Sequence, residues 1–111
     1  MLATALGFTP VDTERVVLAV SELATNLVRY AVQGAIVLAP LARAQGPGLQ
    51  VESCDAGPGI ADLRQALEEG FSSAGGLGHG LPAVQRLMDE VTITTAPDGT
   101  RIVARIWRTS R

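Results

Sequence analysis

Apolar residues recur at helical spacing between residues 10 and 32, and this pattern predicts one long helix. Its apolar positions are Val16, Val17, Val20, Leu23, Leu27, Val28 and Ala31. Pro10 suits the first turn of such a helix, and Gly34 ends the pattern. Residues 2–7 have the composition of the last turns of an earlier helix, so the chain is expected to open with two helical segments.

Four strands follow from the pattern in the rest of the chain. Residues 35–38 and 49–54 form the first two, joined by a loop that contains the turn residues QGPG. Residues 91–95 and 101–107 predict a hairpin around Pro97-Asp98-Gly99. The chain therefore has at least two adjacent strand pairs.

Two shorter helices are predicted between the strand pairs, over about residues 60–69 and 81–89. Helices interleaved with at least four strands, two of them in a hairpin, are typical of an α+β fold. We therefore expect a two-layer α/β sandwich in which helices cover one face of a mixed sheet.

Length and composition limit the class of protein. The 111 residues are 47% hydrophobic and 18% charged, which predicts one globular domain over residues 1–111. No apolar run approaches the roughly 20 residues that span a bilayer, and the N-terminus lacks a signal-peptide pattern. We expect a cytoplasmic protein with no membrane partner. A zinc site is not expected from one cysteine and one histidine.

The charged residues restrict the partners further. The formal net charge is −2, and all nine basic residues are arginine. Nucleic acid is a poor partner for a chain without a basic stripe or an aromatic stacking surface. A Walker A loop is excluded because that motif requires a lysine. Any bound nucleoside triphosphate must have its charge neutralised by other groups.

Polar residues on the long helix and after the second strand carry candidate chemistry. Glu22 and Asn26 are four residues apart and share one helix face, where a carboxylate can polarise a hydroxyl and an amide oxygen can bind Mg²⁺. Asp55 follows a strand and precedes Gly57-Pro58-Gly59, so its carboxylate can accept a hydrogen bond from an exocyclic amine. Each has an ordinary alternative: a solvated pair on a helix for the first, and a tight turn for the second.

Glycines at alternate positions before the helix at residue 81 form the third candidate. Gly76, Gly78 and Gly80 offer bare backbone N–H groups, and Pro82 suits the first helical turn. This arrangement is typical of phosphate binding, and equally of an ordinary loop. The motif alone does not decide between the two.

Taken together, ELATN on a helix, DAGPGI after a strand and GLGHGL before a helix resemble the motifs of the gyrase/histidine-kinase-like (GHKL) ATPase superfamily. The Gly-Thr pair in GTRIVARIW is a fourth match. Within the superfamily the sequence most resembles the short bacterial RsbT-type serine/threonine switch kinases, which act on anti-sigma-factor pathways. The resemblance runs from about Gly7 to Trp107 and implies the use of ATP and Mg²⁺.

The resemblance implies roles for individual residues. Glu22 would be the general base that activates the attacking hydroxyl, and Asn26 the Mg²⁺ ligand. Asp55 would bind the adenine amine, with Gly57 and Gly59 shaping the pocket and Thr100 joining through water. The lid over the phosphates and the start of its helix would comprise Gly76, Leu77, Gly78, His79, Gly80 and Leu81. The roles of Arg29 and Arg86 stay open, as does a direct phosphate contact by His79.

Two functions follow as alternatives. The first is a serine/threonine kinase of a stress-response partner-switching pathway. By resemblance it transfers the ATP γ-phosphate to a STAS-domain (sulfate transporter and anti-sigma antagonist) protein and regulates a downstream phosphatase or other output enzyme. The second is a nucleotide-dependent binding module, such as an anti-sigma factor, without significant kinase activity.

Relatives usually have a strand before the first helix, and residues 1–9 leave little room for one. We expect this strand to be missing. Three explanations stay open: a partner chain, including a second copy in a homodimer, completes the sheet edge; the gene begins further upstream; or the sheet is smaller.

Overall fold

A computed structural model describes residues 2–30, 33–56 and 80–108, which form helices on one side of an antiparallel sheet. The elements in chain order are α1 (Leu2–Ala5), α2 (Pro10–Tyr30), β1 (Gly34–Leu41), β2 (Gly48–Asp55), α3 (Leu81–Leu87), β3 (Glu90–Ala96) and β4 (Gly99–Trp107). The predicted helix over residues 60–69 lies outside the described residues. No described helix is both long and apolar enough to cross a membrane.

The long helix is confirmed over Pro10–Tyr30. It begins with a side-chain cap, because Thr9 Oγ1 accepts a hydrogen bond from the Asp12 backbone N–H at 3.1 Å. Arg15 then connects α2 to the end of α3: its Nε donates to the Leu87 carbonyl oxygen at 2.7 Å. This contact fixes the N-terminal half of α2 against the C-terminal end of α3.

The first two strands are longer than the sequence pattern predicts. Their pairing runs without a break from Gly34↔Asp55 to Leu41↔Gly48, so the ladder continues into positions that lack strand-forming residues. Pro40 is tolerated because β1 is an edge strand of the described sheet, where a missing N–H need not break a ladder. The predicted hairpin at the end of the chain is confirmed, with Ala96 paired to Gly99 around the turn.

The described strands pair in the order β1-β2-β4-β3, and every pairing is antiparallel. The α+β class is therefore confirmed, whereas the mixed sheet is not found among the described strands. The reason lies in where β4 inserts. Strands β2 and β3 run in the same direction, but β4 lies between them, so they do not form a parallel pair.

The core fills the space between the helices and one face of the sheet. Its buried residues include Val16, Ala19 and Leu23 of α2, Leu81, Val84 and Met88 at α3, and Leu49, Val51, Ile102, Ala104 and Ile106 of β2 and β4. Alternate strand residues point to opposite faces, so this set defines the inner, helix-covered face. Residues Ser53, Asp55 and Thr100 share that face by the same alternation.

Candidate functional site

Three polar side chains lie in a row across the inner face at one end of the sheet. Asp55 of β2 pairs with Thr100 of β4, and Thr100 in turn pairs with Thr95 of β3. Thr100 is buried, and its hydroxyl oxygen lies 2.9 Å from that of Thr95, with either atom able to donate. Asp55 is half-buried at the strand end. The register thus places a carboxylate beside a pair of hydrogen-bonded hydroxyls.

Gly99 allows the close approach that forms this row. A Cβ atom at Gly99 would lie 2.5 Å from the backbone carbonyl oxygen of Asp55, a distance that real Cβ contacts do not show. Only glycine therefore fits unless the backbone around Asp55 shifts. The sequence interpretation did not assign roles to Gly99, Ser53 or Thr95. The Gly-Thr pair pointed to Gly99, but only strand register could have revealed the other two.

The C-terminal half of α2 lies over the same end of the sheet. Gly34 pairs with Asp55, and a Cβ at Gly34 would lie 2.8 Å from Leu27 Cδ2. Asn26 immediately precedes Leu27, and Glu22 is one turn earlier; both side chains are half-buried. The segment of α2 that carries Glu22 and Asn26 therefore leads into the end of the sheet that carries Asp55 and Thr100.

The start of α3 shows why glycine is needed there. Gly80 has a φ of 61°, in the region that glycine favours, and no side chain caps the helix at this residue. Leu81 is buried in the core, so its packing anchors the first turn. Its predicted contact with nucleotide remains a prediction. Arg86 is exposed on the last turn.

The opposite end of α3 is held far from this row. The Asp89 backbone N–H donates to the Arg105 carbonyl oxygen at 2.9 Å, and Asp89 Oδ2 accepts from the Trp107 N–H at 2.8 Å. These contacts place the end of α3 at the far end of β4 from Thr100. The other predicted site residues, Gly57, Gly59, Gly76, Leu77, Gly78 and His79, lie outside the described residues.

Cys54 faces away from the candidate site. Its Sγ donates to Glu52 Oε2 at 3.1 Å, and this hydrogen bond raises the pKa of the thiol above its ordinary value. Arg101 Nε donates to the same oxygen at 2.6 Å and lowers the pKa of Glu52. A raised pKa lowers the thiolate fraction of Cys54, and the thiolate is the reactive form of cysteine.

The described fold, helices on one face of an antiparallel sheet, is an α+β domain, and residues 1–106 match the model of the histidine kinase-like ATPase domain. The chain belongs to this family. It is also 47% identical, over 107 residues, to the serine/threonine-protein kinase RsbT of Bacillus subtilis (strain 168). The match covers 96% of this chain and 80% of the relative. The resemblance to GHKL ATPases and RsbT-type kinases, and the enzyme class of ATP-dependent serine/threonine kinase, are confirmed.

Proposed function

We propose that this chain transfers the γ-phosphoryl group of ATP to a serine or threonine hydroxyl of a STAS-domain partner in a partner-switching pathway. The observation that carries the proposal is the position of Glu22 and Asn26 on the segment of α2 that leads into the end of the sheet that carries Asp55 and Thr100. Similarity to a named serine/threonine kinase over most of the chain supports it.

The described donor set fits ATP and Mg²⁺. The Asp55 carboxylate at the strand end can accept a hydrogen bond from the adenine amine, while the Thr100 hydroxyl beside it can reach the ring through water. Asn26 presents an amide oxygen, which is a hard ligand suited to Mg²⁺. The metal ion, when bound, would neutralise part of the negative charge of the phosphates.

Glu22 would act as the general base for the transfer. Its carboxylate accepts the proton of the partner hydroxyl while that oxygen bonds to the γ-phosphorus. The bond from the γ-phosphorus to the bridging oxygen breaks, and ADP leaves with that electron pair. One turn of helix separates Glu22 from Asn26, so the base and the metal ligand share one helix face.

The new phosphate would then release the partner. Phosphorylation adds about −1.5 to −2 charge, which is costly inside a protein interface. The released kinase would be free to bind and regulate a downstream phosphatase or another output enzyme in the cytoplasm. The STAS-domain protein is therefore both the substrate of the kinase and a competitor of the downstream enzyme for binding to it.

A homodimer through the edge strand is part of the proposal. The sequence of β1, GAIVLAPL, carries no charge, and Val37 is 56% exposed. Two copies of such a strand can pair without opposing like charges, and exposed apolar edges favour pairing. Light scattering should report a dimer for the wild type and a monomer for Val37→Lys; a monomeric wild type contradicts this part.

The kinase assay compares Glu22→Gln with Glu14→Gln, an exposed carboxylate earlier on the same helix. With radiolabelled ATP and a candidate STAS-domain protein, we expect label transfer by the wild type and by Glu14→Gln, and none by Glu22→Gln. Equal transfer by Glu22→Gln would exclude it as the base. Nucleotide-dependent capture of the STAS protein without any label would instead favour the anti-sigma-type binding module.

A further inference from the structure

The hydroxyl pair of Thr95 and Thr100 has a consequence for how the base of the nucleotide is recognised. Both side chains face the helical layer, Thr100 is 8% exposed, and their oxygens are 2.9 Å apart. A hydroxyl has one hydrogen to donate and two lone pairs to accept. Whichever of the two hydroxyls donates in this hydrogen bond, its partner keeps its own hydrogen free to donate to a ligand.

We propose that Thr95 is a positioning residue that directs the Thr100 hydroxyl as a donor toward N1 of adenine, directly or through one water. When Thr95 donates to Thr100 Oγ1, the hydrogen of Thr100 is left to point at the ligand. Adenine N1 is an acceptor, whereas the N1 of guanine or hypoxanthine carries a hydrogen. This assignment rests on the proposed nucleotide site at Asp55 and Thr100.

The register supports this arrangement over a chance contact. The three residues lie at directly paired positions on three neighbouring strands of the sheet: Asp55 on β2, Thr100 on β4 and Thr95 on β3. The carboxylate and the hydroxyl pair can therefore contact the same side of one ligand. Asp55 can accept from the adenine amine, and the adjacent ring position N1 then requires a donor. Thr95 itself lies one strand further away and acts through Thr100.

The probe is 1-deaza-ADP, which replaces the N1 acceptor by a C–H group and leaves the amine and the phosphates unchanged. Dissociation constants for ADP and 1-deaza-ADP are measured by calorimetry on the whole chain. The variants are Thr95→Val, Thr95→Ser and, as matched control, Thr94→Val, which is exposed and on the opposite sheet face. A neutral hydrogen bond predicts that the wild type binds ADP about threefold to tenfold tighter than the analogue.

We expect Thr95→Val to bind the two ligands equally, while Thr95→Ser and Thr94→Val keep the wild-type ratio. A purely structural role of Thr95 would weaken both ligands together and leave the ratio unchanged, and that result overturns the assignment. If Thr95→Val does not fold, Thr95→Ala removes the same hydroxyl with less bulk.

The failure of the proposed site is distinguishable from the failure of this assignment. A wild-type chain that binds no ADP overturns the nucleotide site, and the assignment with it. A wild-type chain that binds ADP and 1-deaza-ADP equally well keeps the nucleotide site and overturns the role of Thr95 alone.

Discussion

Among the described residues, Gly99 is one whose replacement is expected to disturb the proposed nucleotide site without removing a functional group. Gly99→Ala would bring a Cβ to 2.5 Å from the Asp55 carbonyl oxygen, so the β2 end must move. We expect a loss of about 1–3 kcal/mol in the free energy of unfolding, as for overpacking. The thermal stabilisation by Mg²⁺-ADP should also disappear.

Thermal unfolding with and without Mg²⁺-ADP checks this expectation. Ligand at about 100 times its dissociation constant stabilises by roughly 2.7 kcal/mol, a shift of several degrees for a domain of this size. Asp98→Ala, in the same turn with an exposed side chain, should keep the ADP shift, while Asp55→Asn should lose it. A full ADP shift in Gly99→Ala would mean that Asp55 tolerates the displacement.

On the outer sheet face, the hydrogen bond from Cys54 to Glu52 raises the pKa of the thiol. Because the Glu52 hydrogen bond is the main cause of the raised thiol pKa, Glu52→Gln should lower that pKa. The thiolate fraction would then rise, by about tenfold for each unit of pKa well below the titration midpoint. Alkylation by iodoacetamide at pH 8 should therefore be faster in Glu52→Gln.

Glu90→Gln is the control for that experiment. Glu90 is on the same outer face, where its Oε2 accepts from Trp107 Nε1 at 2.7 Å, so the charge change is matched while the bonds to Cys54 remain. Its alkylation rate should equal that of the wild type. An unchanged rate in Glu52→Gln would mean that access, and not the thiol pKa, limits the reaction.

At the scale of secondary structure, α2 contributes both the core and the candidate catalytic face. Leu23, next to Glu22 in the sequence, is fully buried, whereas Leu18 on the same helix is 47% exposed. Leu23→Ala should cost about 2–5 kcal/mol, since it leaves a cavity. Leu18→Ala, with the same chemistry at an exposed position, should change stability by less than about 0.5 kcal/mol. Urea unfolding measures both, and equal midpoints would contradict the packing described for α2.

The sequence predicted those elements whose signals are local. The periodic apolar stripe of α2 and the Pro-Asp-Gly turn of the last hairpin each depend on neighbouring residues, and both are confirmed. The full length of β1 was not predictable, because its last residues are held by pairing with β2 rather than by propensity. The described strands pair only in antiparallel fashion, which the sequence did not predict because strand order depends on a pairing between distant segments.

The features of the candidate site also separate into those that local sequence predicts and those that depend on strand pairing. Motifs identified Asp55 and Thr100 separately, and their roles came from resemblance, but their direct pairing is a property of the β2–β4 register. Thr95 escaped notice because a threonine in a strand is ordinary unless its cross-strand neighbour is known. Local sequence therefore indicates candidate residues, whereas the residues that lie beside them depend on the pairing of distant strands.

At the scale of the whole molecule, the described part of the sheet consists of two hairpins, β1–β2 and β3–β4, joined where β2 pairs with β4. Each hairpin pairs strands that are neighbours in sequence, whereas the β2–β4 pairing closes a long loop and is expected to form later. A nucleotide that contacts Asp55 and Thr100 would bridge this junction. It should therefore slow unfolding and leave the refolding rate nearly unchanged.

Stopped-flow unfolding and refolding in urea, with and without Mg²⁺-ADP, test this expectation. The unfolding rate should fall with ADP in the wild type and stay constant in Asp55→Asn. Faster refolding with ADP would mean that the two hairpins are already paired in the transition state.

We expect the same junction to affect how long the chain survives in a cell. Proteases cleave chains that open, and a pairing that forms late in folding is expected to be among the first to open. A nucleotide bound across the β2–β4 pairing would make this opening rarer. Chains without nucleotide would therefore be degraded before chains that bind it. The supply of adenine nucleotide would then set the abundance of the protein as well as its chemistry.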